Sequence, residues 1–438
     1  MAERRGVHHI RTAWSPRLLS ALLPFGLQHA AAHHLYVEAR PLSDLRTASA
    51  DRPDPAAAEG RPRVAFLMEQ ALGHVTYTRN LQAAYATSDR VDPVWLPVPF
   101  ARDGWIDRLP LIGSNWTVRA SRRAFAALLR ARDRRLDAVL YHTQTLALSA
   151  PIAARRLPVI LSLDATPKGF DSVGSYYHHR ADPNSAGERL KHGLHRRVAR
   201  GASALTTWSQ WASDSLQAEY GVPAERITVI PPGVDLSLFY ERRTPADTDA
   251  GRRPRLLFVG GDFVRKGGPL LLDAMRQGLA ERCDLDIVTS SRVPDTPATT
   301  VHNGLGPNDP RLLGLYRDAD IFALPTYADC LAVVLGEAMA AGLPIVTTNV
   351  AAQPEAVRDG ESGIIVNPGD SAALGAALQR LVDDPELRQR FGRAGRAIAE
   401  QRFDARRNAD RLLDVVESGI DRWRSLRSRR GTLIGQGE

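Results

Sequence analysis

Two carboxylates stand at positions where they could bind the hydroxyl groups of a ligand. In the stretch "YADCLAVVLGEAMAAGLPIV" (327–346), Asp329 precedes a helix predicted over about 331–341, and Glu337 lies two turns into that stretch. A carboxylate at the edge of an apolar helix face needs a partner, and sugar or ribose hydroxyls can donate hydrogen bonds to it. Asp329 taken alone has a second interpretation, because its carboxylate could instead cap the unpaired amides at the start of the helix.

A pair of cations flanked by glycines predicts an anion site. Arg265 and Lys266 stand in "LLFVGGDFVRKGGPLLLDAM" (256–275), between a predicted strand and a helix expected to begin near Pro269. Glycines let a ligand approach the backbone, and free amides at a helix start attract anions. The pattern fits a phosphate site. A basic surface turn is the alternative, because neither the Walker pattern nor GxGxxG is present.

The elements that must position these groups alternate along the chain. Short β-branched apolar runs are separated by helical stretches, which indicates parallel sheets covered by helices on both faces. The predicted strands lie in "RVAFLM", "DAVLYH", "PVILSLD", "ASALTTW", "ITVIP", "RLLFVGG", "LDIVTS", "DIFALP", "PIVTT" and "SGIIVNP". Ligands of such folds bind beyond the carboxyl ends of the strands. We therefore expect two doubly wound α/β domains with the site in the cleft between them.

A break in this alternation predicts the domain organisation. The polar stretch "YERRTPADTDAGRRP" interrupts the pattern of strands and helices. We expect a poorly ordered or peripheral segment over 1–62, an acceptor-side domain over 63–240, a linker over 241–254, a donor domain over 255–405, and C-terminal helices with a basic tail over 406–438 that cross back to the first domain.

Composition bounds the class of protein. The chain has 438 residues, of which 44% are hydrophobic and 24% charged, and a formal net charge of +8 that suits anionic partners in general. Cys283 and Cys330 are its two cysteines, which favours a reducing compartment. The sequence contains no apolar run of about eighteen residues, and Pro24 interrupts the apolar run at 18–27 that resembles part of a signal peptide. We predict a cytoplasmic protein.

Four further segments, together with the acidic helix region, carry a family resemblance. They are "YGVPAERITVIPPGVDLSLF" (220–239), "LLFVGGDFVRKGG" (256–268), "LYRDADIFALPT" (315–326) and "PEAVRDGESGIIVNPGD" (354–370). The chain resembles the retaining glycosyltransferases of family 4 (GT4), which carry a Glu-x7-Glu motif at the positions of Asp329 and Glu337. The resemblance implies the GT-B fold, in which two Rossmann-like domains face each other across a cleft.

The resemblance also implies an activity. Members transfer a sugar from a nucleoside diphosphate to an acceptor hydroxyl, with retention of anomeric configuration and without a metal or cofactor, and the resemblance leads us to expect a UDP- or GDP-sugar here. Arg265 and Lys266 would hold the diphosphate and neutralise the charge that develops on it as the sugar leaves. Glu337 would accept hydrogen bonds from the ribose, and Asp329 would contact the hydroxyls of the transferred sugar.

Backbone groups and the first domain would complete the site implied by the resemblance. The amides of Cys330, Leu331 and Ala332 would seat the sugar or phosphates at the helix start. The loop at Gly73 and His74 would face the donor phosphates and the acceptor, which would be a sugar, a glycolipid or a polysaccharide.

Several positions depart from the family pattern. The first acidic residue of the motif is an aspartate, one methylene shorter, and Cys-Leu-Ala replaces the usual Gly-Phe-Gly. Gly260 and Gly261 replace the common Gly-Arg, which leaves Arg265 to supply the second cation. Asp164 stands where many members have a histidine near the donor sugar, and it either contacts the sugar or acceptor or caps the next turn. His142, after "DAVLY", is a further candidate for the cleft.

Two basic regions have open interpretations. Residues 116–136, "WTVRASRRAFAALLRARDRRL", predict a basic amphipathic helix, which either contacts anionic lipid on the inner face of the membrane or packs on the core. His178, His179, His192 and His195 lack a convincing set of metal ligands, and solvated surface is the better interpretation. We therefore predict no metal site.

Two other classes of function fit parts of the pattern. The aspartate and the missing Gly-Phe-Gly would also suit a catalytically silent sugar-nucleotide-binding protein. The positive charge would suit a nucleic-acid-binding protein, but no recognition motif or aromatic interleaving accompanies it, so we expect no nucleic acid partner. The sequence leaves the base, the sugar and the acceptor open.

Overall fold

The computed structural model describes residues 60–71, 73–100, 116–174, 185–239 and 252–434. In this part of the chain the strands form two six-stranded sheets, and every strand pair is parallel. Helices cover both faces of each sheet, because the strand interiors are apolar on both sides. The predicted architecture of two doubly wound α/β domains is confirmed.

The first sheet belongs to the N-terminal half of the chain. Its strands are β1 (Arg63–Gln70), β2 (Asp92–Pro99), β3 (Ala138–His142), β4 (Val159–Leu163), β5 (Ala204–Thr207) and β6 (Ile227–Val229), and its helices are α1 (Gly73–Tyr85), α2 (Trp116–Arg130), α3 (Ala150–Ala153), α4 (Pro167–Val173), α5 (Ala186–Gly201) and α6 (Gln210–Tyr220). The strand order is β2-β1-β3-β4-β5-β6.

The second sheet has the Rossmann strand order. Its strands are β7 (Arg255–Val259), β8 (Asp284–Val288), β9 (Thr299–His302), β10 (Ile321–Leu324), β11 (Ile345–Thr348) and β12 (Gly363–Val366), and its helices are α7 (Gly268–Arg276), α8 (Pro310–Asp318), α9 (Val333–Ala340), α10 (Gln353–Ala356), α11 (Ser371–Asp383) and α12 (Pro385–Arg402). The order β12-β11-β10-β7-β8-β9 reverses direction between β7 and β10. This switch point is where such sheets bind ligands.

The last helix, α13 (Ala405–Ile434), lies against the first domain. The Tyr85 hydroxyl donates to the carbonyl of Ala409 at 2.8 Å, and Arg90 forms an ion pair with Asp414 at 2.7 Å. The segment predicted to hold several terminal helices is thus one continuous helix of 30 residues.

The two faces of the first sheet are covered by different helices. Val64, Phe66 and Met68 of β1 belong to the core that includes α1 and α13, whereas Ala65 and Leu67 belong to a second core. That second core includes side chains of α2, α3, α5 and α6, which we call the outer helical layer.

Two strands were not predicted, and both lie at sheet edges. β2 reads "DPVWLPVP", and its three prolines are tolerated because an edge strand has amides that need no partner. β9 reads "TTVH" and is short and polar. The apolar run at 18–27 and most of the predicted linker lie outside the described residues. Within the described residues, the search for a helix that is long and apolar enough to cross a lipid bilayer finds none.

Candidate functional site

The loop that follows β7 holds both predicted cations. It turns at Gly267, where φ is 82° and an added Cβ would lie 1.9 Å from a backbone carbonyl oxygen of the neighbouring loop, so only glycine fits. The Arg265 guanidinium is 5% exposed, and it donates from Nε to Asp262 at 3.2 Å and from Nη1 to the carbonyl of Ala328 at 2.5 Å. Arg265 therefore joins the loop after β7 to the loop after β10.

The start of α7 differs from the expectation of free amides. The amides of Gly267 and Gly268 donate to the carbonyls of Val264 and Phe263 at 3.0 and 2.8 Å. The next residue, Pro269, has no N–H. The positive potential at this turn therefore comes mainly from the two cationic side chains.

Lys266 forms an ion pair with Asp329, and both side chains are largely buried. The capping interpretation of Asp329 is wrong, because α9 begins at Val333, after Ala332, and no side chain caps it. Burial lowers the pKa of Lys266, and the charge of Asp329 opposes that shift. Asp329 thus favours the charged form of Lys266 inside the site, beside its chain neighbour Arg265.

Glu337 lies inside α9 and is 6% exposed. Its Oε2 accepts a hydrogen bond of 2.7 Å from the hydroxyl of Tyr316, while Oε1 has no hydrogen-bond partner among the described residues. Burial raises the pKa of the Glu337 carboxyl group, and the bond from Tyr316 opposes the rise. Sequence reasoning missed Tyr316, because this contact joins two helices that no local pattern connects.

The three residues after Asp329 are buried, and their backbone is only partly engaged. The amide of Ala332 donates to the side chain of Gln353 at 3.3 Å, and the carbonyl of Cys330 accepts from the amide of Ala352 at 3.0 Å. In the described part of the chain, the amides of Cys330 and Leu331 have no partner. These two amides, rather than all three predicted ones, can donate to a ligand.

On the first domain, four side chains at the carboxyl ends of strands are connected. The Nδ1 of His142 is 3.1 Å from the Oγ of Ser162, and its Nε2 is 3.0 Å from the Nδ1 of His74. The Nε2 of His74 is 3.7 Å from the Oδ2 of Asp164. His142 is fully buried and contacts His74, whose side chain is 13% exposed, so a role for His142 in the cleft stays a prediction.

Burial sets the charge states of this group. It lowers the pKa of His142 well below the usual value, and the neighbouring His74 lowers it further, so His142 is neutral. Burial raises the pKa of Asp164, an effect that His74 opposes and Glu69 reinforces. A neutral His142 carries one proton, which lies either on the nitrogen facing Ser162 or on the nitrogen facing His74.

The two sides of the site meet across the cleft. An added Cβ on Gly73 would lie 3.1 Å from the side chain of Val333, so the first turn of α1 approaches the start of α9 closely. Burial raises the pKa of the Cys330 thiol, and the charges of Asp164 and Asp329 raise it further.

The remaining predicted residues have simpler surroundings. An added Cβ on Gly260 would lie 3.0 Å from the side chain of Lys266, so this glycine gives the lysine its space. The carbonyl of Gly261 accepts from the hydroxyl of Ser290 at 2.7 Å.

Two of the histidines predicted to lie at the solvated surface, His192 and His195, are less exposed than expected. His195 is buried, and burial lowers its pKa to about 4, while the ring of His192 packs against Tyr220. His178 and His179 lie outside the described residues. A search of the described residues for three or more His, Cys, Asp or Glu able to hold a metal ion finds no such group.

Both halves of the chain match known family models. The model described as Glycosyltransferase Family 4 matches residues 75–238, and the model described as Glycosyl transferases group 1 matches residues 253–384. The first match covers the first sheet except β1, the second match covers the second sheet, and together they cover more than half of the chain.

Curated relatives and solved structures agree with these models. The chain is 32% identical over 243 residues to the MMP alpha-(1->4)-mannosyltransferase of Mycolicibacterium hassiacum, covering 52% of this chain and 57% of the relative. It is 29% identical over 247 residues to the D-inositol 3-phosphate glycosyltransferase of Arthrobacter sp., covering 52% of this chain and 58% of that relative. The matched part therefore spans little more than half the length of these relatives.

The fold resembles that of two solved enzymes at low sequence identity. Sucrose-phosphate synthase from Thermosynechococcus elongatus superposes with a TM-score of 0.64 at 18% identity, covering 82% of this chain and 98% of that one. Anabaena Alr3699/HepE, solved in complex with UDP-glucose, has a TM-score of 0.59 at 19% identity, covering 81% and 99%. With the GT-B fold, the two family models and the sequence relatives in agreement, the chain belongs to the group 1 glycosyltransferases of family 4.

Proposed function

We propose that the protein is a retaining glycosyltransferase that moves a sugar from a nucleoside diphosphate to an acceptor hydroxyl. The observation that carries the proposal is the buried Lys266–Asp329 ion pair at the switch point of the second sheet, opposite His74 of the first domain. A cation and an acid held together in a largely buried pair are suited to a ligand that carries both phosphate and hydroxyl groups.

The proposed mechanism assigns a role to each charged group. The diphosphate takes the place of Asp329 beside Lys266, which frees the carboxylate to accept hydrogen bonds from the transferred sugar. Glu337 accepts the ribose hydroxyls through Oε1. The acceptor hydroxyl attacks the anomeric carbon from the face on which the diphosphate leaves, and its proton passes to the departing phosphate oxygen as the bond from that oxygen to the anomeric carbon breaks. Lys266 and Arg265 stabilise the negative charge on the departing diphosphate, and the reaction proceeds without a metal.

The relatives support the choice of substrates. HepE was solved with UDP-glucose, and the curated relatives are named as a mannosyltransferase and as inositol 3-phosphate glycosyltransferases. We infer a UDP- or GDP-sugar as the donor and a sugar, glycolipid or polysaccharide as the acceptor, in the cytoplasm. A silent sugar-nucleotide-binding protein is the second candidate, favoured by the aspartate in the motif and by Cys330 in place of glycine.

A thermal-shift panel tests the donor site. UDP, GDP, ADP and dTDP are added in EDTA to the parent protein and to Glu337→Ala. A nucleotide at a hundred times its dissociation constant stabilises the native state by about 2.7 kcal/mol. We expect one nucleotide to stabilise the parent more strongly than the variant. If none of the nucleotides shifts the unfolding temperature at millimolar concentration, the proposed donor site at Arg265, Lys266 and Glu337 is contradicted. Binding without turnover of the matching nucleotide sugars over a broad acceptor panel would favour the silent protein.

A further inference from the structure

The outer helical layer of the first domain exposes large apolar side chains that the proposed reaction does not use. Seven large hydrophobic side chains are exposed among the described residues, and five belong to α2, α3 and α5: Val118, Leu129, Ile152, Leu190 and Leu194. Leu190 is 66% exposed and Leu194 is 46% exposed. Apolar side chains concentrated on one layer of a domain mark a surface that contacts something else.

The part of this layer formed by α2, α3 and α5 is strongly basic, whereas α6 exposes two acidic residues, Asp214 and Glu219. In residues 116–156 and 185–201, one acidic residue, Asp133, is exposed, against ten exposed arginines: Arg130, Arg132, Arg134, Arg135, Arg155, Arg156, Arg189, Arg196, Arg197 and Arg200. The excess of the whole chain, +8, is therefore not spread evenly. A surface of this sign attracts an anionic partner over a distance set by the ionic strength.

These groups belong to neighbouring elements. The segment Gln144–Ser149 packs against both α2 and α5, and α3 packs against α5. On α5, Leu190 and Leu194 are one turn apart, and Arg197 follows one turn after Leu194 on the same side of the helix. Val198, one turn after Leu194 on this same side, is buried in the core together with Ala199, so the exposed part of the stripe ends near Leu194 and Arg197.

We propose that this surface, made by α2, α3 and α5 and centred on α5, binds the interface of a membrane that contains anionic lipid. The leucines and Ile152 enter the boundary between headgroups and acyl chains, and the arginines contact the lipid phosphates. A nucleic acid would satisfy the charges but would give no environment for Leu190 and Leu194, because its backbone is polar and hydrated. Lipid accounts for both features of the surface.

The proposal moves the predicted membrane contact from 116–136 to a wider surface. Within α2, Ala120, Ala124 and Leu128 are buried in the core, so this helix offers only its outer residues, such as Leu129, to a membrane. On α5, Leu190 and Leu194 are 66% and 46% exposed, against 39% and 49% for Val118 and Leu129 on α2. The predicted amphipathic helix is therefore an edge of the surface.

Vesicle co-sedimentation of the full chain tests this inference without any sugar substrate. The vesicles are phosphatidylcholine alone or phosphatidylcholine with about a quarter phosphatidylglycerol, at low and high salt. We expect binding only to the anionic vesicles, weakened by salt. The double variant Leu190→Ser and Leu194→Ser should bind about tenfold more weakly. Val264→Ser, which removes an equally exposed side chain (65%) from the second domain, should bind like the parent.

A second variant and a competitor separate charge from apolar insertion. Arg196→Glu with Arg197→Glu should also weaken vesicle binding, and circular dichroism with thermal unfolding confirms that each variant is folded. The proposal is overturned if the parent ignores anionic vesicles or if the leucine variant binds them like the parent. Binding to a DNA duplex that the arginine variant abolishes and the leucine variant leaves intact, without vesicle binding, would overturn it in favour of a nucleic acid partner.

Discussion

The ammonium of Lys266 donates to the carboxylate of Asp329, 63 residues later in the chain, across the switch point of the second sheet. The cation proposed to bind the donor phosphates therefore has an anionic partner before any ligand arrives. A nucleotide has to displace this partner, so phosphate binding and sugar recognition are coupled at one pair of residues.

Replacing Asp329 by Asn should separate these two functions. The variant leaves Lys266 buried without its counter-charge, so we expect the unliganded protein to lose about 1–3 kcal/mol of stability and to bind the nucleoside diphosphate about tenfold more tightly. Sugar transfer should fall, because the amide is a weaker acceptor for the sugar hydroxyls. Isothermal titration with the nucleotide found in the thermal-shift panel measures the affinity.

Asp273→Asn is the matched control, since Asp273 pairs with Arg276 on an exposed part of α7. Removing that pair should change neither nucleotide affinity nor transfer. Weaker nucleotide binding by Asp329→Asn would contradict the exchange of carboxylate for phosphate.

Tyr316→Phe should lower the free energy of unfolding by an amount that depends on pH, because the Tyr316 hydroxyl donates to the buried carboxylate of Glu337. The folded-state pKa of Glu337 is raised by burial, so its ionised form destabilises the protein above that pKa, and the penalty is relieved as the pH falls through it. The Tyr316 hydroxyl stabilises the ionised form. Its loss should cost about 1–2 kcal/mol at pH 8 and less at pH 5, measured by urea unfolding.

Tyr141→Phe provides the comparison for this result. Tyr141 is also buried, and its hydroxyl contacts the neutral Ser149 at 3.4 Å. Its loss should therefore cost the same at both pH values. An equal cost at pH 5 and pH 8 for Tyr316→Phe would mean that Glu337 does not change charge in this range.

His142→Phe should reduce the acid sensitivity of the fold. The pKa of His142 is lowered in the folded protein. Below about pH 6.5, therefore, His142 binds a proton in the unfolded chain but not in the native state, and the free energy of unfolding decreases as the pH falls. Each pH unit in that window costs up to about 1.4 kcal/mol. The parent should lose more stability than the variant between pH 7 and 5 in urea unfolding. The pKa of His195 is also lowered in the folded protein, but His195 is present in both proteins, so its effect on stability cancels in the comparison. If the two proteins lose the same stability between pH 7 and 5, His142 binds protons equally in the native and unfolded states, which would contradict its lowered pKa in the folded protein.

The sequence predicts the loops that carry Arg265, Lys266 and Asp329 but not the partners of these residues. The loops follow predicted strands, and the roles of the three residues come from the resemblance to the GT4 pattern. Their partners depend on strand order, since β10 lies beside β7 although β8 and β9 intervene in the chain. The link from His142 to His74 likewise exists because β3 pairs with β1. The edge strands escaped prediction because one is rich in proline and the other is polar.

Glu355 should control how the two domains are held together. Its carboxylate, on α10 of the second domain, accepts the amides of Gln210 and Trp211 at 2.7 Å each and so caps α6 of the first domain. Because a negative charge stabilises a helix start, Glu355→Ala should cost about 1–2 kcal/mol, and Glu355→Gln less. Without this cap we also expect a larger radius of gyration by small-angle scattering. Asp370→Ala is the matched control, since Asp370 caps α11 within the second domain by accepting the amide of Ala373 at 2.9 Å. Asp370→Ala should lower the free energy of unfolding by a similar amount and leave the scattering curve unchanged.

If Glu355→Ala also leaves the scattering curve unchanged, the cap stabilises α6 without setting the arrangement of the domains.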